Sequence, residues 1–265
     1  MPKLLFFDID GTLFDDDTHK LPASVVPALN KAKENDCLLF INTGRTLCNM
    51  DKQLEQLPLD GISFGCGTRV VCGGRTLKAL EFDRKATKEF VEIYRSLNIA
   101  TVYECDTALY YDPKGPDHPL IPKFREYTDM MGNGRDITDD DEEFRAVKMF
   151  CFIEEDRVRE ALLTALSKTG HPFYAIDRGN TGWEIVPEGC TKATGIELIR
   201  QELGVKLEDC YVFGDSRNDL SMLTHVKNSV AMGQAPDDVK ALCSYVTDTP
   251  INDGIKKALE ALKLI

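Results

Sequence analysis

The sequence has no apolar run that approaches the length of a membrane span, and its first three residues lead directly into a predicted strand. A transmembrane helix needs about 20 consecutive, mostly apolar residues. A secretory signal needs an apolar segment followed by a cleavage site with small residues. Because neither pattern is found, the sequence predicts a cytoplasmic protein with no membrane partner.

Positive charge is scarce in this sequence. The 265 residues include 32 Lys and Arg but 44 Asp and Glu, which gives a formal net charge of −12 at pH 7. A nucleic-acid partner requires a basic surface that faces the phosphates, so the charge balance argues against such a partner. If the substrate is anionic, the positive charge that binds it must be concentrated at the site.

Paired cysteines and clustered histidines are also lacking. Nine cysteines are scattered along the chain without a C-x-x-C pair, and the four histidines do not cluster with them. This pattern argues against a zinc site and is typical of a reducing compartment, in which thiols serve as small apolar side chains. The hydrophobic content of 43% predicts a globular protein of one large domain or two ordinary ones.

The first motif follows a short apolar run at the beginning of the chain. Residues 4–7 predict a strand that is buried on both faces of a parallel sheet. Asp8 and Asp10 come next, and because they are two residues apart they leave an extended chain on the same face. Gly11 then permits a sharp turn. An ordinary polar turn after a strand is the alternative interpretation.

A second apolar run, Cys37 to Ile41, follows a predicted helix at 24–33 that has Ser24 as its N-cap. Strand, helix and strand in this order are typical of a parallel sheet, and such sheets bind ligands at the carboxyl ends of their strands. The run ends in Thr43, Gly44 and Arg45, whose hydroxyl, backbone N–H and guanidinium suit a phosphate. A turn with a surface arginine is an equal alternative.

Two later elements carry residues of the same kind. The predicted strand 209–213 ends in a glycine followed by Asp215, Asn218 and Asp219, and Lys192 lies in the first turn of a predicted helix. A helix N-terminus disfavours a cation, so this position suits Lys192 if an anion or several carboxylates face it. An exposed lysine is the alternative. Carboxylates gathered at strand ends require a cation, and Mg²⁺ prefers oxygen ligands.

The middle of the chain has its own pattern of helices and strands. Helical spacing at 87–97 and 156–166 alternates with strand-like runs, and a proline-rich segment at 112–122 predicts an irregular loop. We interpret this region as an inserted α+β domain. The predicted boundaries are 1–82 and 186–265 for the core and 83–185 for the insertion.

Taken in order, these motifs resemble the four motifs of the haloacid dehalogenase (HAD) superfamily, and the chain as a whole resembles its Cof-type phosphatases. Those phosphatases carry a type IIB cap between the second and third motifs, where the insertion lies here. The resemblance covers essentially the entire chain. It implies an α/β fold with a Rossmann-like parallel-sheet core and an inserted α+β cap domain that selects the substrate.

The resemblance also implies a role for each motif residue. Asp8 would be the nucleophile, and Asp10 would act first as an acid and then as a base. Mg²⁺ would be held by Asp8, by the backbone carbonyl of Asp10 and by Asp215, with Asp219 as a supporting residue. The residues implied to bind the phosphate or the rest of the substrate are Thr43, Gly44, Arg45, Lys192 and Asn218.

The chain departs from the family pattern at Gln234, where the family usually has Asn, so the side-chain amide stands on a longer arm. Two segments of the cap are candidates for substrate contacts, namely 112–122 and 178–183. Ordinary loop packing is the alternative for both segments.

The implied function is Mg²⁺-dependent hydrolysis of small phosphorylated metabolites, with sugar phosphates as the first class, by a monomer or weak homodimer. A phosphomutase of the same superfamily has the same motifs and cap, so it is an alternative. A module that binds a phosphorylated ligand without turnover is another alternative, but it would be expected to lack one of the acids. None of them is missing from this sequence.

Overall fold

The computed structural model describes residues 2–179 and 181–265, and contacts divide them into two compact units. The first unit comprises the residues up to Gly44, Asp51–Ala79 and Thr191–Ile265, and the second comprises Arg45–Met50 and Leu80–Cys190. The predicted insertion at 83–185 lies within the longer stretch of the second unit. Met1 and Asn180, which belong to the predicted segments 1–82 and 178–183, lie outside the described residues.

The elements are numbered in chain order. The strands are β1 Lys3–Phe7, β2 Cys37–Asn42, β3 Gly61–Phe64, β4 Arg69–Cys72, β5 Arg75–Ala79, β6 Thr101–Glu104, β7 Leu109–Tyr111, β8 Gly134–Asp136, β9 Lys148–Phe152, β10 Phe173–Gly179, β11 Gly182–Pro187, β12 Cys210–Gly214, β13 Asn228–Ala231 and β14 Tyr245–Val246. The α-helices are α1 Val25–Glu34, α2 Arg84–Ser96, α3 Ile121–Met131, α4 Asp156–Lys168, α5 Lys192–Glu202, α6 Leu220–His225, α7 Asp237–Lys240 and α8 Gly254–Ala261.

An eight-stranded sheet forms the centre of the first unit, in the order β14-β13-β12-β1-β2-β3-β4-β5. The strands from β14 to β3 run parallel to their neighbours, whereas β4 and β5 add an antiparallel hairpin at one side. Strand β1 lies between β12 and β2, and its last residue, Phe7, is in register with Phe213 and Ile41. The residues that follow these three strands therefore leave the sheet at the same edge.

The apolar run of β1 is buried on both faces, as its unbroken hydrophobicity predicts. Leu4 and Phe6 belong to a core cluster with Ile196 of α5 and Met222 of α6. Leu5 and Phe7 point to the opposite face and are also fully buried. This two-sided burial explains why the run has no alternation of apolar and polar residues.

The second unit contains a six-stranded sheet in the order β10-β11-β9-β6-β7-β8, and its neighbouring strands are antiparallel except for β7 and β8. Helices α2 and α4 pack against one face through a cluster that includes Phe90, Tyr94, Met149, Leu162 and Leu166. A mostly antiparallel sheet with helices packed against it is an α+β arrangement. The predicted pattern of this region is therefore confirmed.

Two local predictions were wrong in part. Ser24 precedes α1, but its backbone is helical and its side chain makes no capping hydrogen bond. The proline-rich loop ends earlier than predicted, because α3 already begins at Ile121. Pro122 fits there because the first turn of a helix does not need its N–H.

The cysteine side chains behave as apolar groups. All nine lie within the described residues, where none of them forms a disulfide, and seven of them are buried. Burial raises the pKa of the Cys151 thiol to about 12 and that of the Cys48 thiol to about 11, so both stay neutral at physiological pH. Separately, within residues 2–179 and 181–265 no helix combines the length and apolarity that a membrane crossing requires.

Candidate active site

Asp8 is the first residue after β1, and the sheet holds its backbone. Its N–H donates to the carbonyl of Phe213 on β12 at 3.0 Å. The side chain is only 4% exposed, and Nζ of Lys192 donates to its Oδ1 at 2.6 Å. Burial and the negative charge of Asp219 raise the pKa of Asp8, Lys192 lowers it and Asp10 raises it, and the net result is a pKa of about 7. Asp8 is thus a largely buried carboxyl group in contact with the Lys192 ammonium.

Lys192 is the first residue of α5 and is fully buried. A capping box begins the helix: the Thr191 hydroxyl accepts from the N–H of Thr194 at 3.1 Å, and the Thr194 hydroxyl accepts from the N–H of Thr191 at 3.0 Å. The Lys192 ammonium donates to Asp8 and to Asp219. Burial lowers its pKa, but the two carboxylates raise it more, so the net shift is upward. A helix N-terminus disfavours a cation, and we predicted carboxylates opposite Lys192 for that reason. Asp8 and Asp219 are those carboxylates.

The segment after β12 folds back on itself. A short 3-10 turn, Arg217–Asp219, brings Oδ2 of Asp219 within reach of the backbone N–H groups of Asp215 and the following residue, at 3.0 and 3.1 Å. Gly214 makes room for this contact, because a Cβ there would lie 2.8 Å from Cγ of Asp219. Burial, followed by the negative charges of Asp219 and Asp8, raises the pKa of Asp215 to about 9.

The loop after β1 lies directly against Asp215. Gly11 has a φ of +73°, and a Cβ at this position would lie 2.4 Å from Oδ2 of Asp215. The Thr12 hydroxyl donates to Oδ1 of Asp215 at 3.4 Å. The side-chain amide of Gln234 donates to the carbonyl of Gly11. Both conformation and space therefore require glycine here, and the longer arm of Gln234 contacts this loop.

The acidic cluster suits a divalent cation. Asp8, Asp215 and Asp219 each place a carboxylate oxygen within 4.8 Å of the others. When ionised, three carboxylates and the Lys192 ammonium carry −3 and +1, which leaves a net charge of −2. A divalent ion would balance that charge, and oxygen donors are what Mg²⁺ prefers. Because Lys192 and two N–H groups already occupy Asp219, the carboxylates that fit the ion are Asp8 and Asp215.

The remaining predicted residues are divided between the two units. Thr43 and Gly44 follow β2 in the first unit, and Thr43 is buried, with its N–H donating to the Ser63 carbonyl at 2.9 Å. Asn218 is buried and accepts from a neighbouring serine hydroxyl. Arg45 belongs to the second unit, where its guanidinium donates to the Asn49 carbonyl at 3.3 Å. The chemical roles of all these residues stay predictions.

The second unit contains a row of charged residues that was not predicted from the sequence. Lys148 on β9 is 4% exposed, and its Nζ contacts Glu104 at 2.9 Å and Glu184 at 2.8 Å. Arg178 contacts Glu184 at 3.2 Å. A lysine within an otherwise apolar strand is the signal that was available, because Lys is almost never fully buried unless it is paired.

Comparisons with known proteins identify the family and the fold of this chain. The chain matches the model of haloacid dehalogenase-like hydrolases over residues 5–259. It is 25% identical over 260 residues to 5-amino-6-(5-phospho-D-ribitylamino)uracil phosphatase YcsE of Bacillus subtilis, covering 97% of this chain and 94% of that protein. The HAD subclass IIB sugar phosphatase BT4131 has a similar structure, with a TM-score of 0.84 and 27% identity over 99% of this chain and 100% of that one. BT1666 of Bacteroides thetaiotaomicron, at 24% identity, has the same fold, with a TM-score of 0.84 over 100% of this chain and 96% of that one.

We expect Gly11→Ala to displace the Asp215 carboxylate and so to weaken metal binding and turnover by at least about tenfold. Gly74→Ala is a matched control: its φ is +76°, close to that of Gly11, but a Cβ there meets nothing within 4 Å. The control carries the backbone strain alone, about 1 kcal/mol of stability. Mg²⁺ affinity and kcat of the two variants test this prediction, and equal effects in both would contradict it.

We also expect the metal-free protein to lose stability as the pH rises from about 4 to about 9. The folded-state pKa values of Asp8 and Asp215 are raised from 3.8, so in this window the folded state binds more protons than the unfolded state. Their contribution to the unfolding free energy therefore falls with pH, and bound Mg²⁺ should restore it. Melting temperatures at both ends of the window, with chelator and with Mg²⁺, measure the effect.

Asp215→Asn is the control for this experiment, because it removes one of the two titrating groups and one of the predicted metal ligands. Its melting temperature should depend less on pH and should respond little to Mg²⁺. A Mg²⁺ shift as large as that of the unmodified protein would show that the ion binds elsewhere.

Proposed function

The chain belongs to the Cof-type haloacid dehalogenase-like hydrolases and is a phosphatase of that family, and we propose that it requires Mg²⁺ and acts through an aspartyl-phosphate intermediate. Its substrates are small phosphorylated metabolites, with sugar phosphates as the first class. The observation that carries this proposal is the environment of Asp8. It is a buried carboxylate at a strand end, with Lys192 on one oxygen and Asp215 close by.

In the first step, Asp8 attacks the phosphorus of the substrate. The attacking atom is Oδ2, because Lys192 donates to Oδ1. A bond forms between Oδ2 and phosphorus as the ester bond breaks, and Asp10 gives its proton to the leaving alcohol oxygen. The proximity of Asp10 is supported by its effect on the pKa of Asp8. The products of this step are a free alcohol and a phosphorylated Asp8.

In the second step, Asp10 takes a proton from water, and the oxygen of that water attacks the phosphorus. The bond between phosphorus and Asp8 breaks, which releases inorganic phosphate and restores both carboxyl groups to their starting states. Lys192, Thr43 and Gly44 hold the phosphoryl oxygens during both steps. When bound, Mg²⁺ supplies positive charge that neutralises the phosphoryl group.

The proposal of a polyhydroxylated substrate is supported by the relatives. BT4131 is a sugar phosphatase, and the name of YcsE describes a substrate with a phosphorylated ribityl chain. Both descriptions combine a phosphate ester with several hydroxyl groups. We extend that class to this chain without choosing one member of it.

We propose that the inserted domain, 83–185, sets the choice of leaving group. The phosphate-handling residues contact only what all phosphate esters share, so discrimination among esters needs other side chains. The row of Glu104, Lys148, Arg178 and Glu184 supports this role, because buried ion pairs rarely improve stability over apolar residues. Carboxylates and cations of this kind are suitable partners for hydroxyl groups.

We expect Asp8→Asn to keep the fold but to lose at least about 10⁴-fold in turnover, because an amide does not attack phosphorus at a useful rate. Asp10→Asn should lose about 10²- to 10⁴-fold and should accumulate phosphorylated protein. Release of inorganic phosphate and the intact mass of quenched protein measure the two effects. Asp17→Asn, at an exposed position, is the matched control.

Comparable turnover of purified Asp8→Asn would refute the mechanism. Transfer of the phosphate to a second position of the sugar, without release of inorganic phosphate, would indicate a mutase instead.

We expect His118→Ala and Arg178→Ala to change the ranking of sugar phosphates by kcat/KM, by at least about fivefold for some pairs. His118 stands in the proline-rich loop and stacks on Phe152, with ring centroids 3.8 Å apart, and Arg178 contacts Glu184. Turnover of p-nitrophenyl phosphate should change little, because that ester has no sugar hydroxyls. Arg157→Ala, at a side chain that is 82% exposed, is the control. An unchanged ranking in both variants would oppose this role for the inserted domain.

A further inference from the structure

Asn42, the last residue of β2, contacts the backbone of Lys192. Its side chain is fully buried, and Nδ2 donates to the Lys192 carbonyl at 2.8 Å. The same Nδ2 lies 3.5 Å from the sulfur of Met222 on α6. The orientation of the amide follows from chemistry, because only the nitrogen end has protons to give to a carbonyl. The Lys192 carbonyl has two lone pairs, so it accepts this bond without losing its helical partner.

We propose that Asn42 is a positioning residue for Lys192, and this inference rests on the phosphatase function proposed above. The ammonium of Lys192 reaches Asp8 and Asp219 at the end of a flexible four-carbon chain. Its location therefore depends on where the first turn of α5 stands over the sheet. The bond from Asn42 ties that turn to β2, one residue before Thr43. It therefore links Lys192 to Thr43, a residue predicted to bind the phosphate.

The surrounding packing shows that α5 approaches the sheet closely at this point. Gly195 lies one turn after Lys192, and a Cβ there would be 2.2 Å from the hydroxyl of Ser63 and 3.5 Å from Oδ1 of Asn42. Ser63 is the register partner of Asn42 on β3. With glycine on the helix and a short side chain on β3, the backbone of α5 comes near enough for a direct hydrogen bond from β2.

Stability alone does not explain an asparagine at this position. Oδ1 of Asn42 is buried and has no hydrogen-bond partner among the described residues. An unpaired buried acceptor costs about 1–3 kcal/mol, which offsets the gain from the bond that Nδ2 makes. Leucine has nearly the same shape and would avoid that cost. Leucine, however, could not donate a hydrogen bond to the Lys192 carbonyl, as Nδ2 of Asn42 does.

The test is Asn42→Leu, with Ser63→Ala as the matched control. We expect Asn42→Leu to lower kcat by about ten- to a hundredfold, with KM nearly unchanged and a melting temperature equal to or above that of the unmodified protein. Ser63→Ala removes a buried, unpartnered hydroxyl next to the same helix but breaks no bond to Lys192, so its kcat should stay within about twofold. A lower melting temperature with unchanged kcat in Asn42→Leu would overturn the proposal and indicate a structural role.

A double-mutant cycle with Lys192→Met asks whether Asn42 acts through Lys192. If it does, the loss caused by Asn42→Leu disappears when the ammonium is already gone. Equal losses in both backgrounds would refute the proposal. Urea unfolding of the same four proteins gives a second measurement that needs no turnover: coupling between the two sites supports the proposal, and additivity opposes it. If the unmodified protein releases no phosphate, the proposed function fails, and the unfolding cycle still decides the role of Asn42.

Discussion

The ion pairs of one buried ammonium hold the candidate site together. Lys192 contacts Asp8 at the end of β1 and Asp219 in the turn after β12, so one side chain joins two strand ends and a helix. Removing one partner of a buried ion pair typically costs 3–5 kcal/mol, because it leaves an uncompensated charge in a medium of low polarity. The capping box at Thr191 and the close approach of α5 to the sheet fix the first turn of α5, and these ion pairs depend on the position of that turn.

Each unit contains a charged cluster that is mostly buried, with Arg178 of the second unit 32% exposed, and the two clusters differ in their balance of positive and negative charge. In the second unit, Glu104 and Glu184 are matched by Lys148 and Arg178, so two negative charges meet two positive ones. In the first unit, Asp8 and Asp219 pair with Lys192 and Asp215 lies beside them, so three carboxylates, when ionised, outnumber the positive charge of that ammonium. The upward shifts in the pKa of Asp8 and Asp215 are the consequence of that deficit of positive charge, together with burial. A metal ion is therefore expected in the first unit, where its charge is needed.

Close packing around Asp215 makes the acidic site geometrically strict. Gly11 approaches its carboxylate from the loop after β1, Gly214 leaves space for Asp219, and Thr12 donates to one oxygen. Such sites tolerate few changes, because a single added methyl group must displace a charged side chain. Gln234, which donates to the Gly11 carbonyl, adds another contact to this closely packed region. A glutamine in place of the usual asparagine thus still contributes its amide to this loop.

The sequence by itself determined the elements and the chemistry of their ends. A short unbroken apolar run is typical of a strand that is buried on both faces, so β1 and the acids after it were predictable from local pattern alone. The parallel order of β1 and β2 followed from the helix between them. The resemblance to a known family then assigned roles to Asp8, Asp10 and Lys192, and it did so because those residues lie within short, ordered motifs.

Only the tertiary structure decided which side chains meet across long separations. Asn42 directly follows the predicted apolar run Cys37 to Ile41, and its bond to the Lys192 carbonyl joins positions 150 residues apart. The paired charges on β6, β9 and β11 likewise depend on strand order and register, which no local pattern encodes. The assignment of Arg45 to the second unit depends on contacts that its own motif does not contain. Sequence motifs reveal what chemistry a residue offers, but packing and register determine its partners.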